Sequence, residues 1–102
     1  MNTDVLIVGS GCSGLYCALM LPRDVRIILI TKSDLESNDS YLAQGGMCML
    51  KEQSDFDSFF EDTLKAGHYE NDRESVGIMI NSSPEVVKDL VSYGADFARN
   101  DD

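Results

Sequence analysis

Three glycines near the N-terminus have the spacing with which a polypeptide backbone can hold phosphate groups. Gly9, Gly11 and Gly14 form the pattern G-x-G-x-x-G directly after an apolar run. Gly9 would permit a sharp turn, Gly11 the approach of a pyrophosphate, and Gly14 the close packing of a helix on a strand. The N–H groups of the helix N-terminus would then face the phosphates. The alternative is a tight strand-to-helix turn that binds nothing.

The segments on either side of the glycines predict a parallel β-α-β unit. Residues 4–8 are short, apolar and β-branched, as expected of a buried strand. Apolar residues at helical spacing over 12–21 predict a helix that Pro22 ends, and residues 25–31 predict a second buried strand. Such a crossover is right-handed and its strands are parallel. In this position a G-x-G-x-x-G indicates a dinucleotide site and not a plain turn.

The chain after this unit predicts helices. Residues 47–50 resemble a short strand, and Ser54 with Asp57 has the spacing of a capping box. An apolar stripe that includes Phe56 and Leu64 then predicts a helix that ends near Gly67. These aromatic side chains are expected in a core.

A second group of helices is predicted closer to the C-terminus. Asn71 and Glu74 form another potential capping box ahead of an apolar segment. Pro84 has the position of a first helical residue, and Gly94 that of a C-terminal cap. Residues 95–97 resemble the start of a strand. The fold class predicted from these elements is α/β, with a parallel β-α-β unit followed by helices.

Length and charge exclude several classes of protein. The chain has 102 residues, enough for one domain at most, and a net charge of −10. Residues 1–50 carry three basic and five acidic side chains, or −2, and residues 51–102 carry five and thirteen, or −8. This balance predicts neither a nucleic-acid nor an anionic-membrane partner. The sequence shows no signal peptide, and no apolar run is long enough to span a membrane.

The three cysteines predict a reducing compartment. Cys12, Cys17 and Cys48 are odd in number and include no C-x-x-C pair. They are therefore interpreted as reduced thiols of a cytoplasmic protein, and neither a disulfide framework nor a zinc site is expected. Cys12 lies within the glycine turn, where it is expected to serve packing.

One residue usual in dinucleotide sites is missing. The second strand commonly ends in an acidic side chain that holds the adenosine ribose. Here that place is occupied by Thr31 and Lys32. The ammonium of Lys32 donates hydrogen bonds and accepts none, so it would meet a phosphate or donate to the ribose. An exposed lysine that ends a strand remains the alternative.

An octapeptide after the predicted unit has an unusual composition. Residues 39–46 read D-S-Y-L-A-Q-G-G, a glycine-ended loop with small and amide side chains. Such a loop can place backbone N–H groups along a second part of a cofactor. The pattern resembles the S-x-x-A-Q-G-G-like loop of the flavoprotein family that contains succinate dehydrogenase, fumarate reductase and L-aspartate oxidase. In that family the loop lies along FAD near its pyrophosphate and isoalloxazine.

Three features resemble the aspartate oxidase branch of this family. Thr31-Lys32 is similar to the Ser-Lys that ends the second strand there, where the dehydrogenase branch more often has an acidic residue. The 40–46 loop is similar to the branch's S-T-F-Y-A-Q-G-G, and residues 54–67 to its D-S-x-x-x-H-x-x-D-T-L-x-A-G helix. The resemblance runs over nearly all 102 residues.

The resemblance implies FAD that is bound without a covalent link. In the dehydrogenase branch a loop histidine carries the flavin, and its place here is Asp39. The single histidine, His68, is expected to be a surface or capping residue. The glycines and the family's FAD contacts, carried over by position, give this candidate cofactor site: Gly9, Ser10, Gly11, Cys12, Ser13, Gly14, Lys32, Asp39, Ser40, Tyr41, Leu42, Ala43, Gln44, Gly45 and Gly46.

The resemblance also implies a reaction and its partners. These are the oxidation of L-aspartate to iminoaspartate, with oxygen or fumarate as acceptor, and handover of the product to quinolinate synthase for NAD biosynthesis. Residues 1–102 correspond to the N-terminal part of an incomplete Rossmann-like FAD-binding domain, without the family's capping and C-terminal domains. No catalytic residue is expected here, and this chain alone should bind FAD weakly or not at all. The alternatives are the same part of a fumarate reductase or succinate dehydrogenase flavoprotein, and a non-catalytic nucleotide-binding module.

Overall fold

A computed structural model describes residues 1–98 of the chain. They divide into two compact units, the first from Met1 to Gly45 and the second from Gly46 onwards. The elements in chain order are β1 (Val5–Val8), α1 (Cys12–Met20), β2 (Ile27–Ile30), α2 (Asp39–Leu42), α3 (Phe56–Ala66), which a 3-10 turn at Gln53–Asp55 precedes, and α4 (Arg73–Ser92). The predicted α/β fold, a parallel β-α-β unit followed by helices, is confirmed.

In the first unit, β1 and β2 form a parallel two-stranded sheet. The register pairs Val5 with Ile27 and Val8 with Ile30, and the Gly9 amide extends the ladder to the Ile30 carbonyl at 2.8 Å. One face holds Ile7, which is buried against α1. Side chains alternate between the faces of a strand, so the neighbours of Ile7 lie on the other face. Val8 there is 77% exposed.

The second unit is built around a pair of helices, α3 and α4. The core consists of Leu50, Leu64, Val76 and Ile80, with Ile80 fully buried. The aromatic residues of α3 pack against this core, as the apolar stripe predicted: Phe56, Phe59 and Phe60. The guanidinium of Arg73 lies 5.3 Å from the centre of the Phe60 ring, within the range of a cation–π contact.

A tight connection joins α3 to α4. The amides of His68 and Tyr69 donate to the carbonyls of Lys65 and Leu64, the hydrogen-bond pair that closes a Schellman motif. His68 and Tyr69 both have left-handed backbone conformations, with φ of 54° and 61°. His68 is therefore an exposed helix-capping residue, as the sequence predicted.

The two predicted capping boxes are wrong, and each true cap lies nearby. The capping box at the start of α3 joins Glu52 and Asp55 across the 3-10 turn, where Ser54 and Asp57 were expected. The N-cap of α4 is Asp72, whose carboxylate accepts from the Ser75 amide at 2.8 Å.

Tertiary packing explains why Asn71 is not the cap of α4. Its side-chain amide donates to the Thr63 carbonyl of α3 at 3.3 Å. The same side chain lies against Gly67, where a Cβ atom would collide with it. Asn71 therefore joins the end of α3 to the start of α4.

Pro84 does not begin a new helix, because α4 runs continuously through it. A proline in a helix interior lacks the N–H that would bond the carbonyl four residues earlier. That carbonyl belongs to Ile80, and it accepts instead from the Ser83 hydroxyl at 2.7 Å. The Ser83 oxygen in turn accepts from the Leu50 amide at 2.9 Å. The side chain next to the proline thus supplies the missing donor.

The remaining sequence expectations have mixed outcomes. Gly94 follows the end of α4 with φ of 102°, and the Ala95 amide bonds the Leu90 carbonyl, so the predicted C-terminal cap is confirmed. The short strands expected at 47–50 and 95–97 are absent from the described part of the chain, since neither segment pairs with a strand there. The interpretation of residues 99–102 as an unclosed end lies outside the described residues.

Within residues 1–98, none of the helices combines the length and the apolar character needed to cross a bilayer.

Candidate functional site

The first unit contains a cleft of about 550 Å³ at the carboxyl ends of its two strands. Such strand ends are where open α/β sheets bind ligands, and the volume is within the range of small-molecule sites. Three segments line the cleft: the glycine turn, the end of β2, and the turn before α2. Their lining residues are Val8, Gly9, Ser10, Gly11, Ile30, Thr31, Lys32, Ser33, Ser37, Asn38 and Asp39.

Two of the three glycines are required by the geometry of the turn. Gly9 has φ of 111°, a conformation that side chains of L-residues rarely adopt. A Cβ on Gly14 would collide with the carbonyl oxygen of Gly9 and would lie 3.3 Å from a methyl group of Ile7. The chain therefore reverses at Gly9, and α1 packs against β1 at Gly14 closer than any side chain would permit.

The N-terminus of α1 is capped by a residue distant in sequence. Gly11, the N-cap, has no side chain to accept from the first amides of the helix. The hydroxyl oxygen of Ser40 accepts from the Cys12 amide at 2.9 Å. The same oxygen lies 3.3 Å from where a Cβ on Gly11 would be. The absence of a side chain at Gly11 thus brings a polar oxygen against the amide end of α1, where phosphate oxygens bind in dinucleotide sites.

Ser10 is buried and lies at the junction of the three lining segments. Its side chain is 3% exposed, and its hydroxyl bonds the hydroxyl of Thr31 at 3.0 Å. Its carbonyl accepts a longer bond, of 3.4 Å, from the side-chain amide of Asn38. The sequence predicted a cofactor contact for Ser10. In the structure its side chain is directed to the end of β2.

Asn38 is a residue that the sequence analysis missed. Its side-chain oxygen accepts from the Tyr41 amide at 2.9 Å and caps α2, and its amide group donates to the Leu35 carbonyl at 2.7 Å. An asparagine just before a short helical segment is a common N-cap, so the pattern was present in the sequence. The contact with Ser10 crosses 28 residues of chain and had no such pattern.

The predicted cofactor residues are only partly brought together. Those that line the cleft are Gly9, Ser10, Gly11, Lys32 and Asp39, whereas Cys12, Ser13, Gly14 and the whole run from Ser40 to Gly46 do not. Residues 41–46 are exposed, and Gly45 has φ of 144°. Cys12 is exposed as well. The packing role expected for it is therefore wrong, because none of the residues of α1 is buried.

The charges around the cleft do not by themselves attract an anion strongly. Lys32 is the cation among the lining residues, and Asp39 lines the cleft from the turn before α2. Close by, the Ser37 hydroxyl and the Glu36 amide donate to Asp34 and lower the pKa of that carboxyl. Asp34 is therefore ionised at neutral pH. Recognition of a phosphate here has to depend on backbone amides more than on net charge.

The arrangement fits the adenosine diphosphate part of FAD. The turn has a bare backbone at Gly11, the helix amide end beside it already holds one side-chain oxygen, and the cleft continues to the end of β2. Gly11 and Ser13 would offer backbone amides to the pyrophosphate, beside the Cys12 amide that bonds Ser40. Lys32 would offer its ammonium group at the ribose end.

Comparison with known proteins identifies the family. The FAD binding domain family matches residues 4–102. The chain belongs to this family. FAD is accordingly the cofactor of the domain, and the resemblance to this class of flavoproteins predicted from the sequence is confirmed.

Proteins named L-aspartate oxidase are similar along nearly the whole chain. The one from Clostridium perfringens is 45% identical over 98 residues, which are 96% of this chain and 22% of that protein. The one from Clostridium acetobutylicum is 41% identical over 102 residues, which are 100% and 24%. A chloroplastic L-aspartate oxidase of Oryza sativa is 35% identical over 100 residues, which are 97% and 16%. The chain thus spans less than a quarter of the length of these relatives.

Proposed function

We propose that this chain forms the FAD-binding part of a flavoenzyme that oxidises L-aspartate to iminoaspartate. The observation that carries the proposal is the 45% identity, over 96% of the chain, with a protein named L-aspartate oxidase. The cleft at the glycine turn supports it, because its three walls provide the amide end and the cation that an adenosine diphosphate group needs.

The residues of this chain would bind and orient the cofactor. FAD, when bound, supplies a flavin ring that accepts two electrons and a proton from a substrate carbon. The amides at the start of α1 would hold the pyrophosphate, and Lys32 would hold the adenosine end. No residue within 1–98 is assigned to the chemical step. A dicarboxylate substrate calls for paired arginines, and none of the described arginines lines the cleft.

The flavin of this proposal is held without a covalent bond. Covalent attachment in the dehydrogenase branch uses a histidine of the loop, and the corresponding residue here is Asp39. A carboxylate does not supply the imidazole nitrogen of that link. The only histidine in the sequence, His68, lies in the Schellman turn of the second unit.

The proposal includes the reaction partners that the resemblance implies. Oxygen or fumarate would take the electrons, and the product would pass to quinolinate synthase in NAD biosynthesis. The cytoplasmic location predicted from the unpaired cysteines belongs to the same proposal. A flavoprotein of the fumarate reductase or succinate dehydrogenase type is the second candidate, and Lys32 together with Asp39 favours the first.

The decisive experiment uses the protein at the full length that its gene encodes. We expect a visible flavin spectrum, flavin that is released into the supernatant on denaturation, and loss of the flavin absorption when L-aspartate is added without oxygen. D-aspartate and succinate are the matched controls, and neither should bleach the flavin.

Each other outcome contradicts a different part of the proposal. Bleaching of the oxidised flavin by succinate and not by L-aspartate would establish the second candidate. A flavin that stays with the denatured protein would exclude non-covalent binding. A colourless protein that does not take up FAD would contradict both candidates and leave a non-catalytic nucleotide-binding module.

A further inference from the structure

Ser10 lines the cleft, yet it is a polar residue that is almost completely buried. Ser10 is 3% exposed, and a buried hydroxyl group is unfavourable unless it is hydrogen-bonded. The partner is the Thr31 hydroxyl, at 3.0 Å and 21 residues along the chain. Thr31 directly precedes Lys32, the residue that replaces the usual ribose-binding acid.

The contacts of Ser10 connect all three walls of the cleft. Its backbone belongs to the glycine turn, its hydroxyl reaches the end of β2, and its carbonyl accepts from Asn38 in the third wall. The Ser10 hydroxyl donates its hydrogen to Thr31. The ladder bond from the Gly9 amide to the Ile30 carbonyl is the last backbone bond before the two strands separate. The Ser10–Thr31 bond is therefore the next tie between the glycine turn and the end of β2.

We infer that Ser10 is a positioning residue that, through Thr31, places the end of β2 for the adenosine half of the ligand. The inference depends on the proposed use of this cleft for FAD. It adds that the distance between the pyrophosphate-binding amides and Lys32 is set by a side-chain bond between hydroxyl groups. Loss of the bond should lower the affinity for ligands that contact both the pyrophosphate-binding amides and Lys32. It should not change the affinity for ligands that contact only one of them.

The test compares ligands on the apo form of the full-length protein. FAD and ADP both span the glycine turn and the end of β2, whereas FMN lacks the adenosine half. Ser10→Ala is expected to raise the dissociation constants for FAD and ADP about five- to tenfold, the usual contribution of one hydrogen bond. The affinity for FMN, measured by flavin fluorescence, should stay unchanged.

Two further variants separate positioning from folding. Thr31→Val should raise the dissociation constant for ADP by the same factor. The double variant with Ser10→Ala should bind ADP no more weakly than either single variant. Thr31→Ser keeps a hydroxyl and should bind ADP as the wild-type protein does. Thr3→Val is the matched structural control. Its hydroxyl joins the opposite ends of the same strands, with bonds to the Val5 and Arg26 carbonyls of 2.9 and 2.7 Å. It should lower the unfolding midpoint and leave both affinities as they are.

The outcomes distinguish this inference from the proposed function. If the wild-type protein binds neither FAD nor ADP, the proposed function is wrong. If it binds both and Thr31→Val binds ADP equally well, only the positioning role is wrong. If Ser10→Ala or Thr31→Val weakens FMN as much as ADP, the bond is merely structural. Because Thr31 is exposed, its variants give a result even if Ser10→Ala does not fold.

Discussion

The two units of the chain hold their backbone in different ways. In residues 1–45 the buried residues are Ile7 and Ser10, whereas the unit that begins at Gly46 buries Leu50, Leu64, Val76 and Ile80 among its described residues. The first unit depends on a glycine contact and on single hydrogen bonds between segments far apart in sequence. The second depends on interdigitated apolar side chains.

This difference follows from what each unit has to provide. A ligand that binds through backbone amides needs bare backbone, so the turn around Gly11 cannot be filled with apolar side chains. The helix pair has no such requirement, and its aromatic residues pack from α3 onto the core. The unit that carries the site is therefore the one with fewer buried residues. Substitutions in the first unit should therefore affect both stability and ligand binding, whereas substitutions in the second should affect stability alone.

The largest effect is expected for Gly14→Ala in the first unit. The added Cβ would collide with the backbone oxygen of Gly9, which cannot yield without moving the turn. In the full-length protein we expect a loss of about 3 kcal/mol in the free energy of unfolding, measured by urea denaturation. We also expect loss of detectable FAD binding, measured by fluorescence titration.

Gly77→Ala is the matched control for that substitution. Gly77 lies inside α4 with no atom within 4 Å of its missing Cβ. Alanine there should stabilise the protein by roughly 0.5–1 kcal/mol. Equal effects of the two alanines would show that the close approach at Gly14 is not a determinant of the turn.

Leu64→Ala should destabilise the protein by a similar amount, through a cavity in the second unit, but without the loss of FAD binding. Leu64 is 1% exposed, and truncation of a buried leucine costs about 3 kcal/mol. Leu6→Ala in the first unit is the comparison, since Leu6 is 56% exposed on the uncovered sheet face and its loss should cost less than roughly 1 kcal/mol. Urea denaturation measures both. A larger loss at Leu6 would mean that the sheet face is covered in solution.

His68→Gly should increase stability by about 1 kcal/mol. His68 has φ of 54°, a left-handed conformation that costs a residue with a side chain more than it costs glycine. His68→Ala keeps that cost and removes only the imidazole, so thermal unfolding of the two variants separates backbone strain from side-chain contacts. A gain in the alanine variant as well would show that the histidine side chain itself is unfavourable.

The smallest effect is expected from acid, and it should appear in both units. The Arg26 side chain and amide bond Asp4 and lower the pKa of its carboxyl below 3.8, and the Ser75 amide does the same for Asp72. A carboxyl whose pKa is lowered by folding contributes stability above pH 3.8 that is lost as the pH falls through its folded value. Asp4→Asn and Asp72→Asn should each reduce the loss of stability seen between pH 5 and about pH 3. An unchanged profile in both variants would contradict these pKa shifts.

Much of the first unit could be predicted from the sequence, because its information is local. An apolar β-branched run, three glycines at fixed spacing and a proline after the helix determine β1, α1 and β2 to within two residues of the observed ends. The second unit was predicted less well at its helix ends. The N1 preference of proline made Pro84 resemble a helix start.

Several of the errors share a physical origin, which is that contacts outside a short stretch of sequence override local preference. The hydroxyl that compensates for the missing N–H of Pro84 belongs to Ser83 and is also bonded to Leu50, 33 residues earlier. Asn71 is diverted from capping by Thr63. In the cleft, the serine of the glycine turn was expected to touch the cofactor, and only its bond to Thr31 shows its direction. No pattern within a short window contains these pairs.

The bonds that build the cleft also determine when it can form. Ser10 and Thr31 are 21 residues apart and Ser40 and Cys12 are 28 apart, so each bond requires the closure of a long loop. The turn between α3 and α4 closes through neighbours, as the bond from Tyr69 to Leu64 shows. Local contacts form sooner during folding than distant ones. The helix pair is thus expected to protect its amides from hydrogen exchange early in refolding, and the Cys12 amide among the last.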